Sequence, residues 1–124
     1  MPINKLNLAS GTVTSAGAET GVAVGSITGD YTVKLLFTKF IDPSASARIA
    51  IEECTDNLFA APRQLAVFNI SGGFNNVEGV MLSFKKRDAC GTDLFGTAGA
   101  YARLNFQELN GFSPSLSYES WVEF

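Results

Sequence analysis

Apolar and polar side chains take turns along much of this chain. The alternation is cleanest in Tyr101-Ala102-Arg103-Leu104-Asn105-Phe106-Gln107 and in Leu116-Ser117-Tyr118-Glu119-Ser120-Trp121-Val122-Glu123-Phe124. Between them lies the turn-rich Asn110-Gly111-Phe112-Ser113-Pro114-Ser115. Period two marks a strand with one buried and one wet face. Tyr31 to Phe40 reads the same way. Tyr31, Val33, Leu35 and Phe37 share one face, Thr32, Lys34 and Thr38 the other, and Leu36 and Phe40 are apolar intruders. Ala47 to Glu53 turns Ile49 and Ile51 inward, and Glu78 to Arg87 turns Val80, Leu82 and Phe84 inward. Lys5 to Leu8, extended by Thr12-Val13, predicts a first strand, and Gly21 to Gly25 a short one. Gln64 to Ile70 is almost continuously apolar, which predicts a central strand covered on both sides.

Breakers separate these runs: Ser15 to Gly21, Thr28-Gly29-Asp30, Asp42-Pro43-Ser44, Thr55-Asp56-Asn57, Ser71 to Asn76, and a long loop from Asp88 to Gly99. No stretch keeps apolar residues at helical spacing over three turns. The expectation is an all-β, single-domain antiparallel β-sandwich of about eight strands spanning residues 1–124, with jelly-roll and immunoglobulin-like topologies both open. The Cys-Trp-Cys order of antibody domains is missing, because Trp121 follows both cysteines.

Composition narrows the function classes. A chain of 124 residues suits one domain and can bury a real core. Charged residues make up 17%, against about 25% in an average protein. A surface this poor in charge is either partly covered by a partner or built from Ser, Thr and Asn. The net charge of −3 argues against nucleic-acid binding, which needs a basic face. No apolar run reaches the roughly 18 residues of a membrane helix. The first residues lack the apolar core of a leader peptide, so synthesis and folding in a cytoplasm are expected. In that reducing setting Cys54 and Cys90 read as two buried free thiols, with a disulfide as the sharper alternative.

The absence of histidine removes Ser-His-Asp and Cys-His catalysis and His-containing zinc sites. Gly72-Gly73 lacks the Lys-Ser/Thr of a phosphate loop. Glu52 and Glu53 are adjacent on a strand and point to opposite faces. Glu119 and Glu123 share a face but sit about 13 Å apart, too far for a retaining glycosidase pair. These carboxylates read as solvated. Asp42, Asp56, Asp88 and Asp93 read as turn caps, not calcium ligands. No catalytic residue, cofactor, metal site or small-molecule ligand is expected. Most aromatics, such as Phe37, Phe84, Phe106 and Tyr118, fall on inward parity. Trp121 falls on the opposite face with Glu119 and Glu123, where it either meets a sugar or partner or covers its own sheet. Phe74 and Phe112, both placed in loops, are the other candidates for exposure.

Pro2-Ile3-Asn4-Lys5-Leu6-Asn7-Leu8, Thr14-Ser15-Ala16-Gly17 leading to Asp30-Tyr31-Thr32-Val33-Lys34, Ser46-Ala47-Arg48-Ile49-Ala50-Ile51-Glu52-Glu53 and Ser120-Trp121-Val122-Glu123 resemble small structural proteins of tailed bacteriophages, similar in character to head decoration, or cement, proteins. The resemblance implies a β-sandwich that binds the major capsid protein or other virion subunits, often as a homotrimer, and braces the capsid surface without catalysis. No family site residue carries over. Contact residues expected on physical grounds are Leu6, Leu8, Phe74, Phe112 and Trp121, with residues 1–9 as an inter-subunit arm or edge strand. Edge pairing would use Leu6-Asn7-Leu8 or the terminal strand. The competing readings are a carbohydrate-binding module with Trp121 and Tyr101 as a sugar platform, a phage tail-tube or adaptor subunit, and, weakest, a small hydrolase.

Overall fold

The computed structural model describes residues 4–85 and 94–124, with residues 76–78 described by backbone alone. Nine strands occur among the described residues: β1 (Lys5–Val13), β2 (Gly17–Ala18), β3 (Val22–Ala23), β4 (Thr32–Phe40), β5 (Ser46–Cys54), β6 (Arg63–Ser71), β7 (Phe74–Lys85), β8 (Tyr101–Asn110) and β9 (Leu116–Glu123). All pairings are antiparallel. One sheet has the order β1-β9-β4-β7; the other has β2-β8-β5-β6, with β3 also on β8.

The connectivity selects between the two expected topologies. β2 pairs with Phe106 and Asn105, and β3 with Ala102 and Tyr101, so the two short strands share one edge position beside β8. Counting them together, every connection except β5 to β6 crosses from one sheet to the other. An immunoglobulin sandwich keeps several successive strands in one sheet. The observed crossing pattern is that of an eight-position jelly roll.

The two sheets close on one layer. Val33, Leu35 and Phe37 of β4, Phe84 of β7, and Leu116, Tyr118 and Val122 of β9 meet Ala47, Ile49 and Ile51 of β5 and Ala102, Leu104 and Phe106 of β8. These are the residues that parity turns inward. The rings of Phe106 and Tyr118 meet edge to face across the sheets at 4.9 Å. Burial, then the charge of the Glu19 carboxylate between β2 and β3, pushes the Tyr118 hydroxyl above its ordinary value of 10.

Strict alternation does not hold over nine residues of β4, and a register shift explains why. Phe37 faces Val80 and Lys39 faces Asn75. The shift resets parity, so Phe40 re-enters the core and meets Phe74 edge to face at 6.1 Å. The intruder is thus a core residue. Leu36 remains on the outer face beside Met81.

Other expectations are corrected. Among the described residues β6 pairs with β5 alone, so it is an edge strand and not a central one. The loop expected over Ser71 to Asn76 shrinks to Gly72 and Gly73, because Phe74 pairs with Phe40 and opens β7. The terminal strand β9 lies between β1 and β4 and offers no edge. Of the segment expected as an arm or edge strand, residues 5–9 belong to β1, which lies at the edge of the first sheet. Lys5 to Asn7 and Ala9 pair with β9, and Leu8 is buried in the core, so releasing the segment would expose both. Asn4 and Phe124 exchange two backbone hydrogen bonds, of 2.8 and 3.0 Å. Cys54 is a buried free thiol whose Sγ lies 3.6 Å from both Asp56 Oδ2 and the Ala61 carbonyl oxygen, either of which accepts its one hydrogen. Residues 1–3, Arg87, Asp88, Cys90 and Asp93 lie outside the described residues.

Phe37 is among the largest fully buried side chains and sits where the register of β4 breaks. We expect Phe37→Ala to lower unfolding free energy by about 3–5 kcal/mol, the range for emptying a core phenyl site. Urea denaturation followed by tryptophan fluorescence checks this, and a loss under about 1 kcal/mol would contradict the packing described.

Candidate functional site

The jelly roll gathers alternate loops at each end. One end carries the β4–β5 connection (Ile41–Ala45), the β6–β7 connection (Gly72–Gly73) and the β8–β9 connection (Gly111–Ser115). Asp42 joins the first and the last of them. Its Oδ1 accepts from the Ser44 N–H at 2.9 Å and the Ser44 hydroxyl at 2.6 Å. Its Oδ2 accepts from the Ser113 N–H at 2.6 Å, across 71 residues of sequence. The Ser44 hydroxyl oxygen in turn accepts from the Phe112 N–H at 3.3 Å. Ala45 donates to the Asp42 carbonyl and accepts from Gly72, and Gly73 donates to Phe40.

Two glycines make this closeness feasible. A Cβ at Gly111 would lie 2.7 Å from the Ala45 Cα, and its φ of +136° suits only glycine. A Cβ at Gly72 would collide with the Asp42 carbonyl oxygen. Donors on a carboxylate favour its charged form. The Ser113 N–H, then the Ser44 hydroxyl and N–H, hold Asp42 below its ordinary value of 3.8.

What this braced end presents is apolar. Phe112 is 97% exposed and Ile41 53% exposed. Asp42 thus does more than cap its own turn: it fixes the backbone on either side of an outward phenyl ring. The sequence marks Phe112 as a candidate for exposure, but nothing in it links Ser113 to Asp42.

The opposite end and the adjoining outer face of the second sheet hold a second polar cluster. Glu52 and Arg103 are direct cross-strand partners on β5 and β8. Arg103 Nε donates to Glu52 Oε1 at 2.8 Å, and Asn105 Nδ2 donates to Oε2 at 3.2 Å. The Arg103 guanidinium lies 4.2 Å from the centre of the Phe59 ring. Phe59 has a φ of 53°, the one non-glycine residue in the left-handed region among those described. That backbone is costly for a bulky residue and persists only where surroundings impose it. Here it folds the ring inward under Arg103, leaving Leu58 85% exposed at the loop tip. Glu53 faces the other way, fully buried, with Oε1 accepting from the Leu94 N–H at 2.8 Å. The opposite-face expectation for Glu52 and Glu53 holds, but both are buried and partnered and not solvated.

The sequence-derived contact residues scatter. Phe112 is a free knob. Phe74 is half-buried against Phe40, and Leu6 is half-buried against the core. Leu8 is a core residue: Leu6, opposite Val122, already faces inward, and Leu8 follows it at the two-residue period. Trp121 does face outward from β9, yet it is only 9% exposed. Lys5 Nζ sits 4.5 Å above its ring, and its Nε1 donates to Glu123 Oε2 at 2.9 Å. That bond, then Lys34, holds Glu123 below its ordinary range. Trp121 therefore covers its own sheet. Tyr101 lies on β8 of the other sheet, also facing outward, so the two rings look away from each other and share no platform.

Among the described residues no group of three His, Cys, Asp or Glu side chains is placed to hold a metal ion. Compared with family models, with curated proteins and with solved structures, the chain has no match.

Removing Arg103 would strand the buried Glu52 charge. We expect Arg103→Ala to cost roughly 3–5 kcal/mol in chemical denaturation, the range for breaking a buried ion pair from one side. Arg103→Ala together with Glu52→Gln should recover part of it, and no recovery would show that the loss is packing alone.

Because Asp42 holds its charge more tightly folded than unfolded, its contribution is complete above its ordinary value and is lost as pH falls through the lower folded value. We expect the stability gap between the wild-type chain and Asp42→Ala to be constant from pH 7 to about pH 5 and to shrink below about pH 4. Glu123 titrates in both proteins and cancels. A gap that stays flat to pH 2 would mean that the ionised carboxylate does not brace the loops.

Proposed function

We propose that this chain is a non-catalytic structural subunit that docks on a larger protein assembly through the end bearing Phe112. The observation that carries the reading is the 97% exposed Phe112 on a loop fixed by Asp42. A phenyl ring held in water contributes nothing to its own fold, whereas burying it in a partner is worth about 1.5–3 kcal/mol. Interface energy concentrates in such aromatic anchors. A braced backbone lowers the ordering cost that binding would otherwise incur. The low charge content of the surface is consistent with a covered face.

The assembly proposed is a bacteriophage head, on whose surface the chain acts as a decoration or cement subunit against the major capsid protein. This choice rests on the resemblance of the quoted segments to phage structural proteins. Jelly rolls are common among viral capsid domains, but equally among lectins, so the fold by itself does not choose.

The test is co-sedimentation with purified phage heads lacking accessory proteins, with purified tails as a second arm. We expect the wild-type chain to pellet with heads. Phe112→Asp should bind at least about tenfold more weakly while its circular dichroism and melting remain unchanged. Equal binding by Phe112→Asp would remove this end from the interface. Binding to tails alone would move the assignment to a tail or adaptor subunit, and binding to neither would overturn the virion reading.

A further inference from the structure

The four edge positions of the two sheets are treated unequally. β1 carries Lys5 and a register shift between Asn7 and Ala9. β7 departs from its partner between Asn75 and Val80 and ends on Lys85. The edge beside β8 is split into two dipeptides, β2 and β3. Charge, bulges and short strands are the usual devices that keep a sheet edge from pairing with another chain. β6 has almost none of them. It runs nine residues, and from Gln64 to Ser71 it contains no charged residue, no proline and no glycine. Its one irregularity lies at its start, opposite Ile51 and Glu52. Its sequence is that of a strand with a neighbour on each side, yet among the described residues it has one on one side only, β5.

The flank beside β6 is apolar as well. Phe68 of β6 and Val80 and Leu82 of β7 pack against the core but stay half-buried. On the opposite flank β1 leans on β8 and closes the sandwich, and among the described residues β6 and β7 do not close in the same way.

We propose that β6 pairs antiparallel with β6 of a second copy about a two-fold axis, making the second sheet continuous through a dimer. Self-pairing is the occupant that the charge pattern admits without conflict. Centred on Phe68, it sets Arg63 against Gly73 of the partner subunit; centred on Val67, it sets Arg63 against Ser71 of the partner subunit. No like charges meet in either register. Both keep inward residues on the inward side, so Ala66, Phe68 and Ile70 of the two copies line one continuous face. An isologous contact of this kind closes on itself and does not polymerise. The proposal rests on the edge itself and does not depend on the assembly to which Phe112 binds.

Light scattering after size-exclusion, on the full chain alone, tests it. The expected mass is twice 13.2 kDa at micromolar concentrations. Val67 and Asn69 point outward from β6, so lysine at either position adds an edge charge without entering the core. We expect Val67→Lys to raise the dimer dissociation constant at least about tenfold with an unchanged melting temperature. Asn69→Lys, at an exposed position, should do the same and guards against a folding defect in the first variant. A wild-type monomer or trimer would overturn the proposal, and so would a dimer whose mass persists in both lysine variants.

Discussion

Two sheets can share one core only while every strand keeps its inward side chains pointing inward. A slip of one residue turns a strand's whole apolar set to water. Here the strands are longer than their clean alternations, and the constraint is met by breaking register where the pattern breaks. Beside Phe37 the break lets Phe40 return to the core. Beside Asn7 it turns Ala9 to the core side after Leu8, and beside Ile51 it buries Leu65. Each bulge adds local twist, and the resulting sheets close on a single layer of side chains. The positions of the loops, and with them every candidate contact residue, follow from that closure.

Polar side chains are arranged around this layer differently at the two ends. Asp42 braces two connections and leaves a phenyl ring outside. Glu52 and Arg103 do the opposite: they hold a loop down on the sheet, with Phe59 under the guanidinium. A buried carboxylate without partners would cost several kcal/mol. Glu52 is therefore a fastening only because Arg103 and Asn105 face it across β8. The first arrangement stiffens a surface for contact, and the second protects one from solvent.

Much of the architecture was legible in the sequence because period two is a one-dimensional signal. The inward parity of Val33, Leu35, Phe37, Ile49, Ile51, Leu104 and Phe106 reads directly from spacing, as does the outward parity of Trp121. Where the reading went astray, the deciding information was two-dimensional. A strand's place in its sheet is not written in its own residues, so β6 read as central although it lies at an edge. Trp121 faces outward as expected, but its burial depends on Lys5 arriving from β1. The contact between Asp42 and Ser113 spans most of the chain. The roles of Glu52 and Glu53 depend on β8 and on Leu94. Single-residue spacing has no access to such partners.

The exchange of backbone hydrogen bonds between Asn4 and Phe124 carries a practical corollary. These residues lie side by side at the end of β1 and β9 remote from Phe112. A few flexible residues would join them into a ring, and new termini could be opened in an exposed connection instead. Anything fused there would hang from the rear of the molecule, clear of the phenyl knob. The scaffold is in that sense already wired for outward display of cargo.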